Sequence, residues 1–72
     1  MTSAAYLPAE KDALRIAKEK DMNDHDIQTI IDAFRNGATT VAELTAATGF
    51  SRIRTALITA KLIKDGFVVT AS

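Results

Sequence analysis

Apolar residues recur at helical spacing along much of the chain, and residues that favour helix ends separate the segments. The clearest stripe consists of four large side chains: Ile27, Ile30, Ile31 and Phe34. Their spacings of three, one and three residues place them on one side of a helix. Asn23 or Asp24 can cap its start, and Asn36-Gly37 supplies a left-handed turn at its end. The pattern predicts a central helix over about residues 24–36.

Two further helices follow, joined by a very short connection. Thr39 or Thr40 can cap a short third helix that ends just before Gly49, and Thr40 with Glu43 matches the Thr-x-x-Glu capping box. Ser51 can cap a fourth helix, and Gly66 takes its terminating position. A helix, a tight turn at a glycine and a second helix together predict a helix-turn-helix.

The two ends of the chain complete the predicted architecture. Pro8 suits the first turn of a helix, so an accessory helix is expected over residues 8–20, after a flexible arm at residues 1–7. Residues 67–70 are β-branched or aromatic and predict a short C-terminal strand. We therefore expect one domain over the whole chain, mainly all-α with about four helices, whose core is residues 24–70.

The fourth helix has two sides that could be buried. Periodicity favours an inward side made of aliphatic residues: Ile53, Ala56, Leu57, Ala60 and Ile63. The outward side then carries a mixed set: Arg52, Arg54, Thr55, Ile58, Thr59 and Leu62, with Lys61 at its flank. We expect this orientation, because the opposite one would bury two threonines and expose large aliphatic side chains.

The formal net charge of the 72-residue chain is zero, but the charge is unevenly distributed. Residues 1–48 carry five basic and eight acidic side chains, whereas residues 49–72 carry four basic side chains and one acidic one. The halves therefore have net charges of −3 and +3. A positive segment that coincides with the fourth helix is what a phosphate-facing element needs, whereas a solvated helix face is the structural alternative.

Three motifs in this region resemble a known family: Thr40-Val41-Ala42-Glu43-Leu44, Thr48-Gly49-Phe50-Ser51-Arg52 and Lys64-Asp65-Gly66-Phe67-Val68. They resemble the winged helix-turn-helix transcription regulators of bacteria and phages. The resemblance covers about half of the chain and implies that the fourth helix enters a DNA groove. The family's wing hairpin would be truncated, because one strand fits after Gly66. The family's buried positions would fall on Thr55, Thr59 and Leu62, whereas periodicity favours the other side.

These observations lead to a hypothesis of sequence-specific binding to double-stranded DNA by a small cytoplasmic regulator, for example a repressor, that acts as a homodimer. Its expected contacts combine base and phosphate recognition: Arg52, Arg54, Thr55 and Thr59 in the groove, and Ser51, Lys61 and Lys64 nearer the backbone. The surplus of apolar residues, 47% of the chain, supports self-association.

The alternative is a protein-binding accessory or inhibitor module that reuses the scaffold without contacting DNA. Its interface would be apolar: Ile58, Leu62, Phe67 and Val69. The zero net charge and the acidic first half favour this alternative.

Other classes of function have little support in the sequence. The chain has no cysteine and one histidine, His25, whose neighbouring acids do not share a helix face with it, so no metal site is expected. No catalytic constellation, cofactor motif, effector pocket or membrane span is apparent, and an enzyme is not expected. Tyr6 is expected to pack rather than to stack on bases.

Overall fold

Four helices and two short strands make up residues 5–71, the part of the chain that this computed structural model describes. In chain order they are β1 (Ala5–Pro8), α1 (Ala13–Lys20), α2 (His25–Arg35), α3 (Val41–Thr48), α4 (Arg52–Lys64) and β2 (Val68–Ala71). The expected small, mainly helical fold with a short C-terminal strand is confirmed. Within these residues no helix has the length and apolar content needed to cross a membrane.

Side-chain caps start three of the helices where the sequence indicated them. Asp24, Thr40 and Ser51 each accept a hydrogen bond from the backbone N–H three residues later, at 3.1 Å. Glu43 reaches back to the N–H of Thr40 at 3.2 Å and completes the capping box of α3. These local bonds fix where α2, α3 and α4 begin, and so fix the lengths of the connections between them.

The core lies where α2, α3, α4 and β2 meet. Its largest fully buried apolar side chains are Ile30, Ile31, Leu44, Leu62 and Val68. From α1, Leu14 and Ala17 pack against this cluster. Burying each large aliphatic side chain contributes about 1.5–3 kcal/mol, so α2, which supplies two of them, is the centre of the domain.

The N-terminal segment differs from the sequence prediction. Residues 5–7, expected in a flexible arm, belong to β1, which pairs antiparallel with β2; residues 1–4 of that arm lie outside the described residues. Tyr6 donates its N–H to the carbonyl of Thr39 at 2.6 Å, which anchors β1 on its other edge. Pro8 ends the strand instead of starting a helix, and α1 begins only at Ala13.

The position of Pro8 within the ladder explains why a strand tolerates it. Ala9 donates its N–H to the Phe67 carbonyl at 2.9 Å, so residues 9 and 67 occupy a hydrogen-bonding position of the ladder, although the N–H of Phe67 donates to Leu62. In an antiparallel ladder such pairs alternate with non-hydrogen-bonded ones, and Pro8 opposite Val68 is therefore a non-hydrogen-bonded pair. The missing N–H of Pro8 removes no ladder bond.

Candidate functional site

A tight turn joins α3 to α4 and sets the direction of α4. α3 ends at Gly49, whose φ of 76° is a left-handed conformation that glycine adopts without steric cost. The Thr48 hydroxyl donates to the Leu44 carbonyl at 2.7 Å and accepts the N–H of Phe50 at 3.2 Å. Ser51 then caps α4, so three residues separate the two helices. Two helices joined by a three-residue turn that contains a glycine have the connectivity that the sequence predicted for a helix-turn-helix.

The side of α4 that meets the core is not the one predicted from periodicity. Thr55, Thr59 and Leu62 are 0%, 2% and 1% exposed. The side expected to be buried faces solvent: Ile53, Ala56, Leu57, Ala60 and Ile63. Ile53 and Leu57 are 75% and 67% exposed. The predicted inward side was therefore wrong, and Thr55 and Thr59, expected to contact DNA, are inside the domain.

The α3–α4 connection explains the discrepancy. Both candidate sides of α4 repeat at intervals of three and four residues, so periodicity alone cannot choose between them. The left-handed Gly49 and the cap at Ser51 fix the rotation of α4 about its axis, and that rotation puts Thr55 in the interior. The motif register of the winged helix-turn-helix family, with buried positions at Thr55, Thr59 and Leu62, is the one that the structure adopts.

We call the solvent-facing side the outer face of α4 and define it by Arg52, Ile53, Ala56, Leu57, Ala60 and Lys64, all of which are exposed. Ile53, Leu57, Ala60 and Lys64 are spaced by four, three and four residues, so they lie along one line down the helix. Arg54 and Lys61 form the edge of this face. The sequence analysis did not predict that the apolar residues of this face are exposed. The buried positions implied by the family resemblance, Thr55, Thr59 and Leu62, would have indicated it.

The basic side chains of α4 differ in whether an acid neutralises them. Arg52, Lys61 and Lys64 are exposed and form no ion pair with an acid of residues 5–71. Arg54 lies 3.5 Å from a carboxylate oxygen of Asp26 and stacks over the Phe50 ring at 5.5 Å. The predicted DNA-contact residues of α4 that remain accessible are therefore three free cations and one that is paired.

The N-terminal end of α2 borders the same region. Asp24 and Asp26 line an open groove together with Ile53, Leu57 and Lys61 of α4. The side chain of Asp24 is used as the cap of α2. The groove thus has an acidic wall at the start of α2 and an apolar and basic wall on α4. The acidic wall repels an approaching polyanion, whereas the wall formed by α4 does not.

The predicted protein interface is largely inaccessible. Leu62 is 1% exposed, and Ile58 and Phe67 are half-buried against the core. Val69 is 45% exposed and lies opposite Leu7, which is 43% exposed. Directly opposed residues of an antiparallel pair point to the same side of a sheet, so these two form a small apolar surface.

The carboxylate of Glu43 accepts three hydrogen bonds at the start of α3. The backbone N–H and the hydroxyl of Thr39, both at 2.8 Å, and the backbone N–H of Thr40 lower the pKa of its carboxyl. This carboxylate serves the helix cap. No group of three potential metal ligands occurs within residues 5–71.

Comparison of the chain with family models, with curated proteins and with solved structures finds no match. The resemblance to winged helix-turn-helix regulators therefore stays a prediction that the motifs of the sequence carry.

Proposed function

We propose that the chain binds double-stranded DNA through the outer face of α4, as a small cytoplasmic regulator of transcription. The observation that carries this proposal is the exposure of α4, the second helix of the predicted helix-turn-helix, together with the cations Arg52, Lys61 and Lys64, which form no ion pair within residues 5–71. An α-helix with its side chains is about 10–12 Å across, and the major groove of B-DNA is about 12 Å wide. Helix and groove therefore match in size.

The contacts follow from the orientation of α4. Arg52 lies in the first turn, where a groove-bound helix meets base edges, and it can bind guanine bidentately or a phosphate. Lys61 and Lys64 lie further along the helix and suit phosphate contact, with Ser51 and Arg54 beside the backbone. The small side chains of the outer face, Ala56 and Ala60, allow close approach to the groove wall. Attraction is local, because the whole chain has no net charge.

A salt titration tests this proposal. Binding of a mixed-sequence duplex is measured by fluorescence anisotropy at several salt concentrations, for the wild type and for Lys61→Ala/Lys64→Ala. Each lost phosphate contact makes the negative slope of log K against log salt less steep by about 0.9. The slope of the double variant should therefore be less steep than that of the wild type by about 1.8. The control is Lys11→Ala/Arg35→Ala, which removes equal charge outside α4. Equal slopes for the two double variants would exclude α4 as the DNA-binding element.

The homodimer is part of the proposal, and the apolar surface formed by Leu7 and Val69 supports it. A single short domain buries little surface on DNA, so a second copy adds affinity. Sedimentation equilibrium should show a dimer that Leu7→Ser/Val69→Ser dissociates. A wild-type protein that sediments as a monomer at micromolar concentration would contradict this part.

A second candidate is recognition of another protein, and the exposure of Ile53 and Leu57 favours it. Such an interface would use the outer face of α4 and not the set predicted from sequence, since Leu62 is buried. The salt titration separates the two candidates, because DNA affinity falls steeply with added salt and an apolar protein contact hardly responds.

A further inference from the structure

The centre of the outer face of α4 has no hydrogen-bonding side chain. Ile53, Leu57 and Ala60 follow one another along its central line, and Ile53 and Leu57 are 75% and 67% exposed. Arg52 and Lys61 beside this line and Lys64 at its far end are the side chains there that can donate a hydrogen bond. A helix with this face can make few polar contacts to base edges, so its selectivity requires an apolar target.

The major groove presents one apolar group, the C5 methyl of thymine. On the basis of the proposed function, we infer that the outer face of α4 reads thymine methyl groups, and that Ile53 and Leu57 are the residues that determine specificity. These two side chains are four positions apart, which corresponds to about 6 Å along the helix. Base pairs rise about 3.4 Å each, so the two methyl groups lie about two base pairs apart.

The charged surroundings favour DNA over an apolar protein as the occupant of this face. Arg52, Lys61 and Lys64 surround the apolar line and form no ion pair with residues 5–71. Two copies of α4 packed face to face would bring these like charges together. In the major groove, the phosphates of the backbone complement the cations, and an apolar base edge between them complements the apolar centre of the face.

The test begins with selection of bound sequences from random duplex DNA by the full chain. The enriched duplex is then synthesised with deoxyuridine in place of thymine, which removes only the methyl group. Each methyl in contact should contribute about fourfold to affinity, and two about fifteenfold, as expected for one buried methyl-sized group each. We expect the uracil duplex to bind correspondingly more weakly than the thymine duplex.

Variants identify the residues that sense the methyl groups. Ile53→Ala and Leu57→Ala should each abolish the thymine preference at one position and leave binding of the uracil duplex nearly unchanged. Arg52→Ala should weaken both duplexes by the same factor. Circular dichroism checks that the variants fold, which the exposure of both sites predicts.

The outcomes separate this inference from the proposed function. Enrichment of a sequence that binds equally with thymine or uracil would overturn methyl readout and leave DNA binding in place. A thymine preference that persists in both alanine variants would remove Ile53 and Leu57 from that role. Selection that enriches no sequence would overturn the proposed function and this inference with it.

Discussion

Thr55 and Thr59 place two hydroxyl groups in the core, where neither has a hydrogen-bond partner within residues 5–71. Thr55 and Thr59 are 0% and 2% exposed, so bulk solvent does not reach their hydroxyls. A buried hydroxyl left unsatisfied costs about 1–3 kcal/mol. Valine has nearly the same shape and puts a methyl group where the hydroxyl was. Thr55→Val and Thr59→Val should therefore each raise the free energy of unfolding by about 1 kcal/mol or more.

Thermal and urea unfolding measure this change. For a domain of this size, 1 kcal/mol corresponds to a rise in Tm of about 4–8 °C. The double variant need not be additive, because the two threonines are one helical turn apart. Thr48→Val is a matched control, since the Thr48 hydroxyl makes two hydrogen bonds, to Leu44 and from Phe50. The free energy of unfolding of Thr48→Val should therefore fall by about 1 kcal/mol.

The opposite orientation of α4 makes a different prediction for the same variants. If the threonines faced solvent and touched DNA, valine would change the stability by less than about 0.5 kcal/mol and would weaken DNA binding. A Tm unchanged in both variants, together with a loss of affinity for duplex DNA, would therefore refute the orientation of α4 that buries Thr55 and Thr59.

Three further predictions follow from the structure. Asp26→Asn frees Arg54 from its ion pair and should strengthen binding of duplex DNA by up to about fivefold. Asp12→Asn, an equal charge change at the start of α1, should not, and anisotropy titration measures both. The hydrogen bonds to Glu43 lower its folded-state pKa, so its contribution to stability is present above the ordinary pKa of 4.5 and is lost as the pH falls through the folded value. Glu43→Gln should therefore flatten the dependence of Tm on pH below about 4.5, and an unchanged slope would exclude this role. Leu44→Ala should lower the free energy of unfolding by about 2–5 kcal/mol in urea titration. Leu57→Ala, at the exposed leucine of the outer face, should change it by less than about 0.5 kcal/mol.

Local signals in the sequence were sufficient for the central helices. The stripe of α2 predicted both the helix and its buried side, because Ile27, Ile30, Ile31 and Phe34 have no rival stripe on the same helix. The caps at Thr40 and Ser51 form as expected, since each bond joins residues three positions apart. Where one local interaction decides an element, the sequence is enough to place it.

Two features were not predicted, one because it depends on a distant contact and the other because it depends on the geometry of a turn. β1 exists because Ala5–Pro8 pairs with Val68–Ala71 at the other end of the chain, and the segment itself has no strand pattern. The rotation of α4 depends on how its turn seats it against α2 and α3. Periodicity ranked Ile53 and Leu57 as core residues because of their hydrophobicity, although the turn excluded them from the core.

The orientation of α4 is unfavourable for stability alone. It leaves Ile53 and Leu57 in water, although burying either side chain is worth about 1.5–3 kcal/mol. It also buries the hydroxyls of Thr55 and Thr59, which have no hydrogen-bond partner among residues 5–71. A helix whose only role was to close the core would carry threonine outside and leucine inside. The composition of the outer face is therefore not explained by folding. Stability and binding should consequently separate along α4: substitutions at Thr55 and Thr59 should change unfolding and leave binding unaltered, and those at Ile53 and Leu57 should do the reverse.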